Sequence, residues 1–355
     1  MSGASPATPA PTTPAPATPS PATPASATSA SATPGSGSPS PADSASDGGT
    51  EPVTLADLVA RARRRLDAPL SDRRPEWIVG SVAGVPDGAL GAALGRRVDA
   101  ETEAHVDALV ARCAAGEPVQ YVVGVWPFRD LDLTVDARVL IPRPETEGLV
   151  ELALREVSPS LGPGGRKVVD GEDSEVPVCD LGTGSGAVAL SLAFEGPPTL
   201  RLWAGDDSDA ALEVARRNLD RLAATTPDAA ARVRLVSGSW FDALPTTLAG
   251  RIRLVVSNPP YVAASEWEGL EPEVRDHEPR HALVPGPSGR EALELLVDGA
   301  AYWLAPVGAL VLELAPDQAE PLAQRARSAG SFDEVVVAPD LTGRARYLVA
   351  RRDRG

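Results

Sequence analysis

Three short segments combine residue types that suit group transfer. At Asp180-Leu181-Gly182-Thr183-Gly184-Ser185-Gly186 an apolar run ends in a carboxylate, and three glycines alternate with small polar residues. Glycines let a ligand approach the backbone closely, and the helix expected from Ala187 presents an N-terminus that favours a negative group such as a ligand carboxylate. The spacing is G-x-G-x-G, not the G-x-G-x-x-G of dinucleotide sites; a tight turn that serves packing alone has the same look. Asp206 closes the next apolar run, over 200–205. A carboxylate there can accept both hydroxyls of a ribose, the alternative being that this acidic cluster, through Asp207 or Asp209, caps the helix from Ala210. The third segment, Ser257-Asn258-Pro259-Pro260-Tyr261, follows another apolar run. Two prolines remove two N–H donors and hold the chain extended, leaving the Asn258 side chain and nearby carbonyls as oriented acceptors. Tyr261 adds a flat face. Such a corner suits a planar –NH2 group, and a stiff turn after a strand is the plainer reading.

These residues need a frame. From Val176 the chain alternates strand and helix, with strands expected near 176–181, 199–205, 232–237, 252–257, 307–314, 333–338 and 345–351. Helices fit near 186–195, 209–223, 289–303 and 317–328. This repetition predicts an α/β fold with a doubly wound, mostly parallel sheet of seven strands, the last two antiparallel for want of a crossover. Upstream, Thr54 and Asp57 form a capping-box pattern ahead of Leu55, Leu58, Val59, Ala62 and Leu66 at helical spacing. Trp77, Ile78, Val79 and Val82 mark a second helix, and Val106, Leu109, Val110 and Cys113 another, so 51–117 reads as a small helical domain. The β-type runs at 120–124 and 131–135 predict a hairpin within a linker over 118–140. Ile141-Pro142-Arg143-Pro144 is extended, a helix follows over 145–156, and the Pro-, Gly- and acid-rich stretch 158–175 reads as a surface insertion in a catalytic domain spanning 141–355. Residues 1–50 hold no aromatic, Leu, Ile or Val, so they cannot offset the cost of ordering and read as a disordered tail.

The 355 residues carry a net charge of −16, with Lys167 the single lysine. Nucleic acid as the main substrate is disfavoured, since a duplex-binding surface needs a cationic patch; the dense run Arg61–Arg65 reads as a solvated helix face. Two separate cysteines, Cys113 and Cys179, argue against a disulfide framework and for a reducing compartment. There is no secretory signal pattern, and the most apolar stretch, 301–315, contains Pro306 and Glu313 and is too short for a bilayer. A cytoplasmic protein is expected. His105, His277 and His281 form no ligand set, because Pro279 breaks the helix that would align the last two, and no metal is expected.

The glycine segment, the Asp206 strand end and Asn258-Pro259-Pro260-Tyr261 resemble the class I S-adenosylmethionine-dependent methyltransferases that modify amino groups on planar systems. Gln120-Tyr121 to Gly124, Leu140-Ile141-Pro142-Arg143-Pro144-Glu145-Thr146-Glu147 and Glu278-Pro279-Arg280-His281-Ala282-Leu283 narrow the resemblance to the HemK/PrmC family. It covers about 54–351. Members are protein-(glutamine-N5) methyltransferases acting on peptide chain release factors, whose target glutamine lies in a Gly-Gly-Gln motif. The resemblance implies a class I methyltransferase-like fold and S-adenosylmethionine as cofactor. It places the cofactor against Gly182, Thr183, Gly184, Ser185, Gly186, Asp206, Trp240 and Asn258. The glutamine falls against Asn258, Pro259, Pro260 and Tyr261, of which Asn258, Pro259 and Tyr261 carry the transfer. Ser239 departs from the pattern, standing where relatives often have an acidic residue. Arg143 and Glu145 are expected to shape the substrate pocket, while Glu147 serves either there or only as an N-terminal helix charge. The alternatives are a ribosomal-protein glutamine or a DNA adenine amino group as target, or a non-catalytic module with a degenerate pocket.

Overall fold

The computed structural model describes residues 52–158 and 175–353. The tail expected over 1–50 and nearly all of the 158–175 insertion lie outside the described residues. Thr54 opens α1 (Leu55–Arg65) through a capping box: its Oγ1 accepts from the Asp57 amide at 3.3 Å, and the Asp57 carboxylate accepts from the Thr54 amide at 2.9 Å. Three more helices follow, α2 (Arg74–Ala83), α3 (Leu90–Ala93) and α4 (Ala100–Ala114), the last capped by Asp99. Leu55, Leu58, Ile78, Val79, Val106 and Val110 are all nearly inaccessible and form one apolar core between these helices.

The chain then departs from expectation. Residues 119–123 are not a strand but a short helix, α5 (Val119–Val123), entered from Pro118 and ended by Gly124 at φ +75°. Its β-branched residues suggest a strand. Burial on two sides overrides that preference, because Val119 and Val122 join the helical core while Tyr121 packs with Val139, Ile141 and Val214. The hairpin is real but starts later, pairing β1 (Val125–Phe128) with β2 (Leu131–Thr134). Asn218 ties it to the rest: its amide donates to the carbonyls of Thr134 at 3.0 Å and Ser185 at 2.9 Å.

Beyond α6 (Pro144–Val157) the sheet builds up as β3 (Val176–Leu181), α7 (Ala187–Glu195), β4 (Leu200–Asp206), α8 (Asp209–Thr225), α9 (Pro227–Ala230), β5 (Val233–Ser237) and β6 (Ile252–Ser257). It ends with α10 (Pro272–Arg275), α11 (Glu291–Trp303), β7 (Leu304–Glu313), α12 (Ala319–Ser328), β8 (Glu334–Pro339) and β9 (Ala345–Arg351). The strand order is β5-β4-β3-β6-β7-β9-β8, parallel except that β9 runs antiparallel to both neighbours. Successive side chains alternate between two cores. Val178, Leu202, Leu254, Val256 and Val311 face Leu149, Val150, Ala189 and Leu192 of α6 and α7. Cys179, Val255, Leu310, Leu312 and Leu348 face Leu293, Leu296, Leu322 and Ala326 of α11 and α12. Burying each such side chain contributes about 1.5–3 kcal/mol, so a one-residue slip, which turns a whole strand over, is strongly disfavoured. Winding reverses between β3 and β6, which lie side by side with Asp180 opposite Val256, and such a reversal opens a crevice at the strands' carboxyl ends. Among the described residues no helix is long and apolar enough to cross a membrane.

Candidate active site

The crevice at that reversal is lined by Gly182, Gly184, Asp206, Asp207, Trp240, Asn258 and Pro260, with Arg138, Val139, Leu140, His281 and Ala282 across from them. It encloses about 640 Å³, counted out to its open mouth. The turn after β3 is held by the end of β4, whose Gly205 carbonyl accepts the amides of Gly182 at 2.8 Å and Thr183 at 2.9 Å. Gly182, Gly184 and Gly186 all have positive φ, +74°, +55° and +84°, which explains the alternation: a side chain at any of them is strained. Buried Asp180 anchors the turn from beneath by accepting from the Thr183 hydroxyl at 2.6 Å and the Ala189 amide at 3.1 Å. Burial pushes its carboxyl up to about 7.

Asp206 faces the crevice with each oxygen already taking one backbone N–H, from Gly184 at 2.8 Å and Ser208 at 3.0 Å. Burial raises its pKa, and those two bonds pull the other way. A carboxylate oxygen has two lone pairs, so each oxygen retains one for a ligand hydroxyl. Trp240 is held at φ +48°, a conformation that costs a non-glycine residue about 1 kcal/mol or more. A Cβ built on Gly182 would stand 3.4 Å from its ring, in ordinary contact, so the ring lies directly over the turn. A flat ring, a carboxylate with acceptor capacity left and a bare backbone turn could hold a nucleoside-bearing cofactor.

The second corner is joined to the first through Ser257, whose hydroxyl donates to the Leu181 carbonyl. Asn258 and Pro260 line the crevice, while Pro259 is buried beside them. The Asn258 Nδ2 donates to Thr146 Oγ1 at 3.0 Å, Thr146 Oγ1 donates to Glu313 Oε2 at 2.8 Å, and the Tyr261 hydroxyl donates to Glu313 Oε1 at 3.4 Å. Glu313 is almost wholly buried, which pushes its carboxyl up to about 7. The far wall is tied together by Glu278, which takes the Arg143 guanidinium on Oε1 and the Ile141 amide at 3.2 Å on Oε2. Burial raises Glu278, and Arg143 opposes that rise.

Of the site residues read from the sequence, Gly182, Gly184, Asp206, Trp240, Asn258 and Pro260 meet at one crevice. Thr183 and Ser185 are buried within the turn, and Gly186 sits at the N-cap of α7; none of these three lines it. Tyr261 turns its hydroxyl to Glu313, and its carbonyl accepts from Gln318 at 2.8 Å. Glu145 does not face the crevice; it meets Arg344 at 3.4 Å, and its carbonyl accepts from the Tyr347 hydroxyl at 2.6 Å. Glu147 accepts from the Arg129 amide at 3.2 Å. Neither Asp207 nor Asp209 caps α8: Ser208 does, through the Ala211 amide at 3.2 Å. Nothing in the sequence singles out Glu313, Arg138 or Val139 for this site, whereas Thr146 and Leu140 lie within the 140–147 segment. Among the described residues no three His, Cys, Asp or Glu side chains gather as for a metal.

Residues 57–124 match the family model described as the PrmC N-terminal domain, and 169–270 the one described as the methyltransferase small domain. A release factor glutamine methyltransferase from Moorella thermoacetica is 36% identical over 303 residues, 84% of this chain and 99% of that protein. Another, from Deinococcus radiodurans, is 38% identical over 307 residues, 85% of this chain and 100% of that protein. This chain belongs to the release factor glutamine methyltransferase family. It is accordingly a methyltransferase, built on the class I methyltransferase fold with a helical region and a small hairpin ahead of the sheet. The N-terminal family match runs through α5. Among solved structures, a methyltransferase from Pyrococcus furiosus aligns with 72% of this chain and 99% of its own at 18% identity and a TM-score of 0.43.

Proposed function

We propose that this family member methylates the side-chain amide nitrogen of a glutamine, the one in the Gly-Gly-Gln motif of peptide chain release factors, using S-adenosylmethionine. The observation that carries this reading is the shared crevice: the glycine turn and the Asn258 corner open onto the same space, with the Asn258 carboxamide nitrogen already engaged by Thr146. The cofactor rests against Gly182, Gly184, Asp206 and Trp240, in a turn shaped by Thr183, Ser185 and Gly186. The glutamine lies against Asn258, Pro259, Pro260 and Tyr261.

When bound, the sulfonium cofactor supplies an activated methyl group, so the protein needs no covalent nucleophile. Its own task is placement and charge. An amide nitrogen is a poor nucleophile because its lone pair is delocalised into the carbonyl. Asn258 Oδ1 and the Pro259 carbonyl accept the two N–H bonds of the glutamine and hold its nitrogen in line for attack. Both contacts strengthen as positive charge grows on that nitrogen, the condition for lowering a barrier and not merely binding. The methylated, protonated amide is acidic enough to lose its proton to water, so no general base is required. A chain of net charge −16 steers a basic partner toward it and repels DNA.

The test is incubation of the full chain with isotopically labelled S-adenosylmethionine and purified release factors, followed by peptide mass mapping. One added methyl on the Gly-Gly-Gln glutamine is expected. Label on another residue, or no transfer despite cofactor binding, overturns the reading.

A further inference from the structure

We propose that Thr146 and Glu313 are positioning residues that set which end of the Asn258 carboxamide faces the crevice. The inference deepens the proposed function and rests on Asn258 accepting from the substrate amide. It stands on the direction of two hydrogen bonds. A hydroxyl carries one proton, and an ionised carboxylate only accepts. With Glu313 Oε2 at 2.8 Å, Thr146 spends its proton on Glu313. Its oxygen is then an acceptor, and Asn258 Nδ2 takes it at 3.0 Å. The carboxamide is thereby pinned by its nitrogen, leaving Oδ1 as the end available to a substrate –NH2. The opposite orientation would set N–H donors against N–H donors.

The device depends on the charge of Glu313, and the groups around it come from three sides. Thr146 and Glu145 belong to α6, Tyr261 follows β6, and Arg346 and Tyr347 belong to β9. Arg346 and the two hydroxyl donors, Thr146 and Tyr261, favour the ionised form; burial and Glu145 oppose it. A protonated Glu313 can donate to Thr146, which then donates to Asn258 Oδ1 and turns the wrong end of the carboxamide outward. Buried chains of this kind hold a single arrangement only while every member is satisfied.

The chain has two asparagines, Asn218 and Asn258, so labelling with 15N-asparagine yields two side-chain amide pairs in the full protein, without cofactor or substrate. Asn218 donates to backbone carbonyls alone and serves as the internal reference. The Asn258 pair is expected to shift as pH passes through about 7 while the Asn218 pair stays put. Glu313→Gln abolishes that shift. Thr146→Val, nearly the same shape without the hydroxyl, moves the Asn258 pair toward a solvent-exposed amide, and Thr146→Ser keeps it in place. In turnover assays on a release factor, Thr146→Val lowers kcat about tenfold with little change in KM or cofactor affinity, and Thr146→Ser recovers most of it. Asn258 signals unmoved by Thr146→Val, or a loss confined to KM, overturn the proposal. If the signals respond as expected but the wild-type chain modifies no release factor, the substrate reading fails while the positioning device stands.

Discussion

Arg143→Met would expose how strongly the far wall of the crevice depends on one ion pair. Glu278 has a side chain only 1% exposed, whereas the Arg143 side chain is 31% exposed. Removing one partner of a buried pair costs about 3–5 kcal/mol, because the other charge is left uncompensated. The partial exposure of Arg143 places this case at the lower end, about 3 kcal/mol at pH 8. Its pH dependence follows from the direction of the shift. Glu278 is already raised by burial, and without Arg143 it rises further. An acid whose folded pKa exceeds its unfolded value binds its proton more tightly when folded, so stability falls as pH climbs from the unfolded value, about 4.3, toward the folded one. The deficit is therefore small near pH 5 and complete above the new folded value. Thermal unfolding would show the variant melting about 5–10 °C below wild type at pH 8 and much closer to it at pH 5. Adding Glu278→Gln, which keeps an acceptor for the Ile141 amide, should restore most of the loss at pH 8. Equal losses at both pH values, or a double variant no better than the single, would refute this reasoning. Calorimetry should show weaker cofactor binding in Arg143→Met, because Val139, Leu140, His281 and Ala282 line the crevice on the two segments that the pair joins.

Asn258→Ala should cut turnover by about 100-fold, by analogy with deleting a single transition-state hydrogen-bond group, while isothermal calorimetry finds cofactor binding little changed; near-normal turnover would count against the acceptor role. Asp206→Asn turns an –NH2 toward the amide of Gly184 or Ser208, both of which now donate to it, and should weaken cofactor binding about 10- to 100-fold, read by the same titration. Gly148→Ala places a Cβ 2.2 Å from the Tyr347 hydroxyl, which must then leave the Glu145 carbonyl. A loss of about 1–3 kcal/mol in denaturant unfolding is expected, with no loss if α6 simply slides.

The chain's own order of residues already spelled out whatever depends on neighbours a few positions apart. The capping box at Thr54 and Asp57, the apolar strands β3, β6 and β7, the glycine turn and the stiffened Asn258 corner are local in this sense, and all were legible. Even the meeting of the two corners followed from strand winding, since parallel strands flanking a reversal deliver their loops to one crevice. What escaped depends on partners far along the chain. Thr146 lies 112 residues from Asn258 and 167 from Glu313, and Arg143 lies 135 from Glu278; no local spacing announces such pairs. Glu145 went to Arg344 and Tyr347 for the same reason. Residues 119–123 show the converse case: a strand-like run of β-branched residues became a helix because two separate cores needed its opposite faces. Burial is a property of the packed whole, and together with partners brought from far along the chain it set the charge states of Glu278 and Glu313.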